Sequence, residues 1–90
     1  MKKAIAVALA LMAAPGAVSA ACESGHWIED VSSSGRVITL EDESIWKVLG
    51  GDEVYSSLWL PTESVLVCPD GTIINTDVDG EQVSVKLLSR

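Results

Sequence analysis

From residue 26 onward apolar and polar side chains alternate with a period of two, and a turn signal cuts the alternation about every 8–12 residues. A period of two puts successive side chains on opposite faces of an extended chain. Strands are therefore expected over residues 26–31, 36–41, 44–49, 64–68, 72–76 and 82–88. The punctuation between them is Ser32-Ser33-Ser34-Gly35, Glu41-Asp42-Glu43, Gly50-Gly51-Asp52, Pro69-Asp70-Gly71 and Asp79-Gly80, the last a hairpin signal. In the first strand Trp27, Glu29 and Val31 should share one face and His26, Ile28 and Asp30 the other. In the last strand Val83, Val85 and Leu87 should oppose Ser84, Lys86 and Leu88. No convincing amphipathic helix interrupts the series. A two-sheet immunoglobulin domain needs about 100 residues. The expected fold is all-β: a five- to six-stranded SH3-like or OB-like barrel.

The alternation does not reach the N-terminus. Lys2 and Lys3 precede an uncharged apolar run over residues 4–14, too short to span a bilayer as a helix. Pro15 and Gly16 break that run, and Val18-Ser19-Ala20 offers the small side chains that a signal peptidase reads. Residues 1–20 are expected to be a secretory signal peptide of bacterial type, and residues 21–90 a single exported domain, periplasmic or secreted. Removing the signal peptide takes two of the six Lys/Arg and none of the thirteen Asp/Glu, which moves the formal charge from −7 to −9. An acidic surface of this kind repels nucleic acid and anionic lipid, so neither is an expected partner. The mature chain is not expected to insert into a membrane.

A domain of 70 residues lies near the small end of what folds alone, and a covalent staple would help it. Cys22 and Cys68 are the two cysteines, and an even count in a short exported chain reads as a disulfide. Two other readings stay open. Ser19-Ala20-Ala21-Cys22 partly matches a bacterial lipobox, which would make Cys22 a lipid anchor, and both thiols could be free.

One segment breaks the alternation. Tyr55-Ser56-Ser57-Leu58-Trp59-Leu60-Pro61-Thr62 carries three consecutive large apolar residues and then a proline, which cannot donate to a strand ladder. A loop or 3₁₀ turn is expected. Two readings compete: a plug over one open end of the barrel, favoured in a chain with three Trp and no Phe, and an exposed aromatic patch.

Chemistry has little foothold. His26 is the only histidine, and an ordinary strand position explains it better than a triad does. Paired carboxylates such as Glu29 and Asp30 read as solvated surface. Asn75-Thr76-Asp77-Val78-Asp79-Gly80 matches the first half of a calcium loop, but Lys86 stands where the bidentate Glu belongs, so a hairpin turn is the better reading. A barrel this small also leaves little room for a cleft of several hundred Å³. No catalytic residue, metal or cofactor is expected.

Leu40-Glu41-Asp42-Glu43-Ser44-Ile45-Trp46-Lys47-Val48, Leu58-Trp59-Leu60-Pro61 and Gly71-Thr72-Ile73-Ile74-Asn75 together resemble a pattern in short exported bacterial proteins with a small SH3-like β-barrel. Glu43 stands where that pattern has a hairpin glycine. The resemblance covers Trp27 to Val85 and implies a fold but no activity. The functional expectation is a non-catalytic interaction module whose acidic field attracts a basic envelope protein, in the manner of small periplasmic inhibitors of cationic cell-wall hydrolases. Its expected binding face joins Asp52, Glu53, Tyr55 and Trp59, carboxylates beside aromatic rings. The alternative is a structural or accessory envelope protein without a ligand site of its own.

Overall fold

The computed structural model describes residues 22–90, so the signal-peptide reading of residues 1–20 and the cleavage before Ala21 lie outside the described residues. Six strands form: β1 (Glu23–Val31), β2 (Val37–Leu40), β3 (Ile45–Val48), β4 (Ser64–Cys68), β5 (Thr72–Asn75) and β6 (Glu81–Ser89). One short helix, α1 (Glu53–Ser56), lies between β3 and β4. The strands close an antiparallel barrel in the order β1-β2-β3-β6-β5-β4, with β4 returning to β1. The described residues thus form an all-β, six-stranded barrel, as the period of two implied.

Two long strands make closure possible. The first half of β1 pairs with β4 (Glu23 opposite Val67, Trp27 opposite Ser64), and its second half pairs with β2 (Ile28 opposite Leu40). Likewise β6 pairs with β5 through residues 81–84 and with β3 through residues 85–89. A bulge interrupts β1 between Ile28 and Asp30. An extra residue there reverses the face of the residues beyond it, so Val31, three residues after Ile28, also packs against the core. Strict alternation places Val31 on the opposite face from Ile28; the bulge is why it does not hold.

The barrel interior holds Ile28, Ile38, Leu40, Trp46, Val48, Trp59, Val65, Ile73, Val83 and Val85. Burying a side chain of this size stabilises by about 1.5–3 kcal/mol. Leu87, expected inward with Val83 and Val85, is 37% exposed: it still pairs with Trp46 of β3, but beyond Ser84 β6 has no β5 partner on its other side. Cys22 and Cys68 form a disulfide, which ties the chain just before β1 to the last residue of β4. Glu43, in place of the hairpin glycine, adopts φ 71, and Asp79 and Gly80 take φ 52 and φ 73 in the β5–β6 turn. The local geometry that favours glycine or Asn/Asp is therefore present at both turns.

Candidate functional site

The two ends of the barrel are built differently. β3 and β4 are not neighbours, since β6 and β5 stand between them, so residues 49–63 must cross the barrel end from one to the other. Trp59 drops from this connection into the core at 3% exposure, and its Nε1 donates to Glu81 Oε1 over 2.7 Å. Ser56, fully buried, donates its Oγ proton to the carbonyl of Gly35 at 2.6 Å. Glu63 Oε1 accepts from the buried Asn75 Nδ2 at 2.8 Å and from the Leu60 backbone N–H at 2.9 Å. This end is a plug in which the polar atoms are satisfied.

Of the four residues expected on a binding face, three lie at the surface of this connection. Tyr55 is 46% exposed, and Asp52 and Glu53 are half-buried. Asp52 Oδ2 also accepts the Ser84 backbone N–H at 2.9 Å, which fastens the connection to β6. Trp59 is the exception. Its indole is inside the barrel, because the segment needs an apolar anchor to close the end, so it offers no surface to a partner. Apolar residues missed as surface groups stand outside instead: Val54 at 64%, Leu58 at 78% and Leu60 at 61% exposure. The single turn of α1 sends Val54 and Tyr55 outward while Ser56 points inward, and Leu58 follows at the surface beyond it. No sequence period reveals so short a helix.

Along β4, β5 and β6 the opposite end carries Cys68, Gly71 and Leu87, and there the barrel is open. Trp46, Val67, Cys68, Val85 and Leu87 line a cleft of about 330 Å³, with Glu23 and Arg90 contributing charge. The sequence left little room for a cleft of this size. It exists because, among the described residues, no connection crosses this end, so the core side chains Trp46 and Val85 form its wall.

Beside the cleft, His26 joins the start of β1 to the β2–β3 turn. Its Nδ1 lies 2.8 Å from Glu41 Oε2 and its Nε2 3.2 Å from Glu23 Oε1. Glu41 Oε1 accepts the Trp27 backbone N–H at 3.0 Å. Asp42 Oδ1 accepts from Ser44 Oγ at 2.6 Å and from the Ser44 N–H at 3.0 Å, and Ser44 Oγ in turn accepts from Trp46 Nε1 at 2.8 Å. These bonds from Ser44 hold the Asp42 carboxyl below its ordinary value. Among the described residues, His26, Glu41 and Asp42 are the three whose ring nitrogen and carboxylate oxygens come within 4.8 Å of one another. By sequence His26 reads as an ordinary strand residue; it does lie in β1, and strand pairing brings it to the acidic turn. The turn 75–80 spends these oxygens on backbone N–H groups of the turn and of β4: Asn75 Oδ1 accepts from the Asp77 N–H and Asp77 Oδ2 from the Ser64 N–H, both at 2.9 Å.

No family model, curated protein or solved structure matches the chain. The class that the fold defines is a small closed antiparallel β-barrel with one disulfide, plugged at one end and cleft at the other. Among the described residues no helix is long and apolar enough to cross a membrane. The disulfide is consistent with an oxidising compartment.

Proposed function

We propose that this protein is a non-catalytic interaction module of the cell envelope and that it docks a cationic protein through the connection of residues 49–63. One observation carries the reading. Of the eight large apolar residues exposed among the described residues, five fall in this connection: Leu49, Val54, Tyr55, Leu58 and Leu60. Asp52 and Glu53 stand beside them, and apolar anchors rimmed by charge make an interface that is both desolvated and selective. The acidic chain steers a basic partner toward that face, more strongly at low salt. A basic envelope protein such as a cationic cell-wall hydrolase fits the chemistry.

The test compares wild type with the double variant Glu53→Lys, Leu58→Lys, which spares the Asp52 bond to β6 and the buried Trp59. Binding to purified cationic cell-wall hydrolases is measured at about 50 mM and about 200 mM salt. We expect roughly tenfold weaker binding for the variant, a loss of about 1.4 kcal/mol, and weakening with salt in the wild type. Equal binding by the two proteins, with no salt dependence, would sink the proposal.

A further inference from the structure

His26 stands between two carboxylates, and that arrangement restricts its charge. A neutral imidazole has one N–H and one lone pair. Whichever tautomer it takes, one of its two contacts would set a lone pair against a carboxylate oxygen, at 2.8 Å from Glu41 or 3.2 Å from Glu23. Only the imidazolium donates to both. We infer that His26 is a proton-operated latch that ties the start of β1 to the β2–β3 turn and, through Glu23, sets the charge at the mouth of the open-end cleft.

The surroundings suit that role. Glu23 faces the ring from β1, and Glu41 and Asp42 face it from the β2–β3 turn. Arg90, beyond β6, acts on Asp42. β4, paired with β1 here, contributes Val65 and Val67, which carry no charge. Glu41 is held from behind by the Trp27 N–H, so it is a fixed rather than a swinging partner. Between the disulfide at Cys22 and the ring, the piece that the latch holds has room to shift: the ladder to β4 is irregular between Glu23 and His26, and Gly25 sits there at φ 83 in open space. Glu23 is also a wall of the cleft.

Burial of the ring acts to lower its pKa. The hydrogen bonds to Glu41 and Glu23, with the charges of Glu41 and Asp42, outweigh that and raise it above 6.5. A raised value in the fold means that the latch contributes fully below the unfolded value, near 6.5, and is lost as pH climbs through the folded value. The switch therefore works on the alkaline side of 6.5. On the acid side Glu23 is paired with an imidazolium. On the alkaline side its carboxylate is released and the cleft mouth becomes more negative.

His26 is the only histidine, so its ring protons are assigned without ambiguity by NMR. In the wild type the titration midpoint should lie above 6.5, and it should fall in Glu41→Gln and in Glu23→Gln. Amide exchange at residues 24–27, corrected for intrinsic base catalysis, should quicken severalfold as pH passes that midpoint, while β5 amides stay unchanged. In His26→Gln the same correction should leave no pH dependence. A wild-type midpoint at or below 6.5, or exchange at residues 24–27 that ignores the titration, would overturn the latch. So would a ring signal that responds to micromolar Zn²⁺, because a metal ion and not a proton would then bridge the groups.

Discussion

The plugged end and the open end of this barrel use a tryptophan in opposite ways. Trp59 is delivered by a long connection, closes its end and is anchored by a carboxylate from a distant strand, Glu81. Trp46 belongs to a strand, forms part of a cleft wall and donates its hydrogen bond to Ser44, two residues away. A small barrel has two ends and too few residues to cover both, so one end is closed by packing and the other is left accessible.

Truncation should separate them most clearly. Trp59→Ala should cost about 4–5 kcal/mol, since it empties an enclosed site and strands the Glu81 carboxylate. Trp46→Ala should cost about 3 kcal/mol, because the space it leaves joins the open cleft rather than an enclosed cavity. Urea unfolding of the two variants measures the gap, and equal losses would break the contrast. Reduction comes next. Opening the link from Cys22 to Cys68, 46 residues apart, should remove about 4 kcal/mol in the chain-entropy model and lower the melting temperature sharply. The loosening should show first in amides of the open end, and a melt indifferent to reductant would contradict it.

A pair of glycines sharpens the same comparison at smaller scale. At Gly35, φ 77, a Cβ would meet the Ser57 backbone nitrogen at 2.5 Å and Gly35 itself accepts the Ser56 bond, so Gly35→Ala should cost about 2–3 kcal/mol. At Gly71, φ 89, the nearest atom is Val85 O at 3.4 Å, and Gly71→Ala should cost about 1 kcal/mol, the conformational term alone. Thermal melts rank the two, and a reversed order would show that the plug yields more readily than its contacts imply. The smallest effect belongs to Asp42. Its folded pKa is lowered, so its contribution is present above the usual value of 3.8 and is lost as pH falls through the lowered value. The stability difference between wild type and Asp42→Asn should narrow over that acid range, and a constant difference would contradict the Ser44 account.

How much of the molecule is legible in its sequence depends on the range of each signal. Strands announce themselves locally, and Ser64–Cys68 matches its expected bounds while the other five shift by only a few residues. Phase is less secure. One bulged residue in β1 moves Val31 to the inside, and no side-chain type marks where a bulge will fall. The plug is foreshadowed by Pro61 and by a chain with few aromatics to spare, yet the outward turn of α1 is hidden because four residues show no helical period. The cleft depends on which connection crosses which end, which is strand order and not strand content. His26 had a clue: if Ile28 faces Leu40, continuing that register brings residue 26 beside the acidic turn at Glu41 and Asp42.

The position of the disulfide has a practical consequence for anything joined to the N-terminal side of the fold. Cys22 is bolted to Cys68, a wall of the cleft, while β4 begins at the far end, directly after the connection of residues 49–63. A solid support, a dye or an anchor attached just ahead of Cys22 would therefore be held at the cleft end. It would present Val54, Tyr55, Leu58 and Leu60 outward, away from the surface. A handle placed after Ser89 would leave from the same end, since Ser89 lies opposite Ile45 and Arg90 borders the cleft. Both handles thus leave the Val54–Leu60 face free for capture, while either one stands in the way of the cleft.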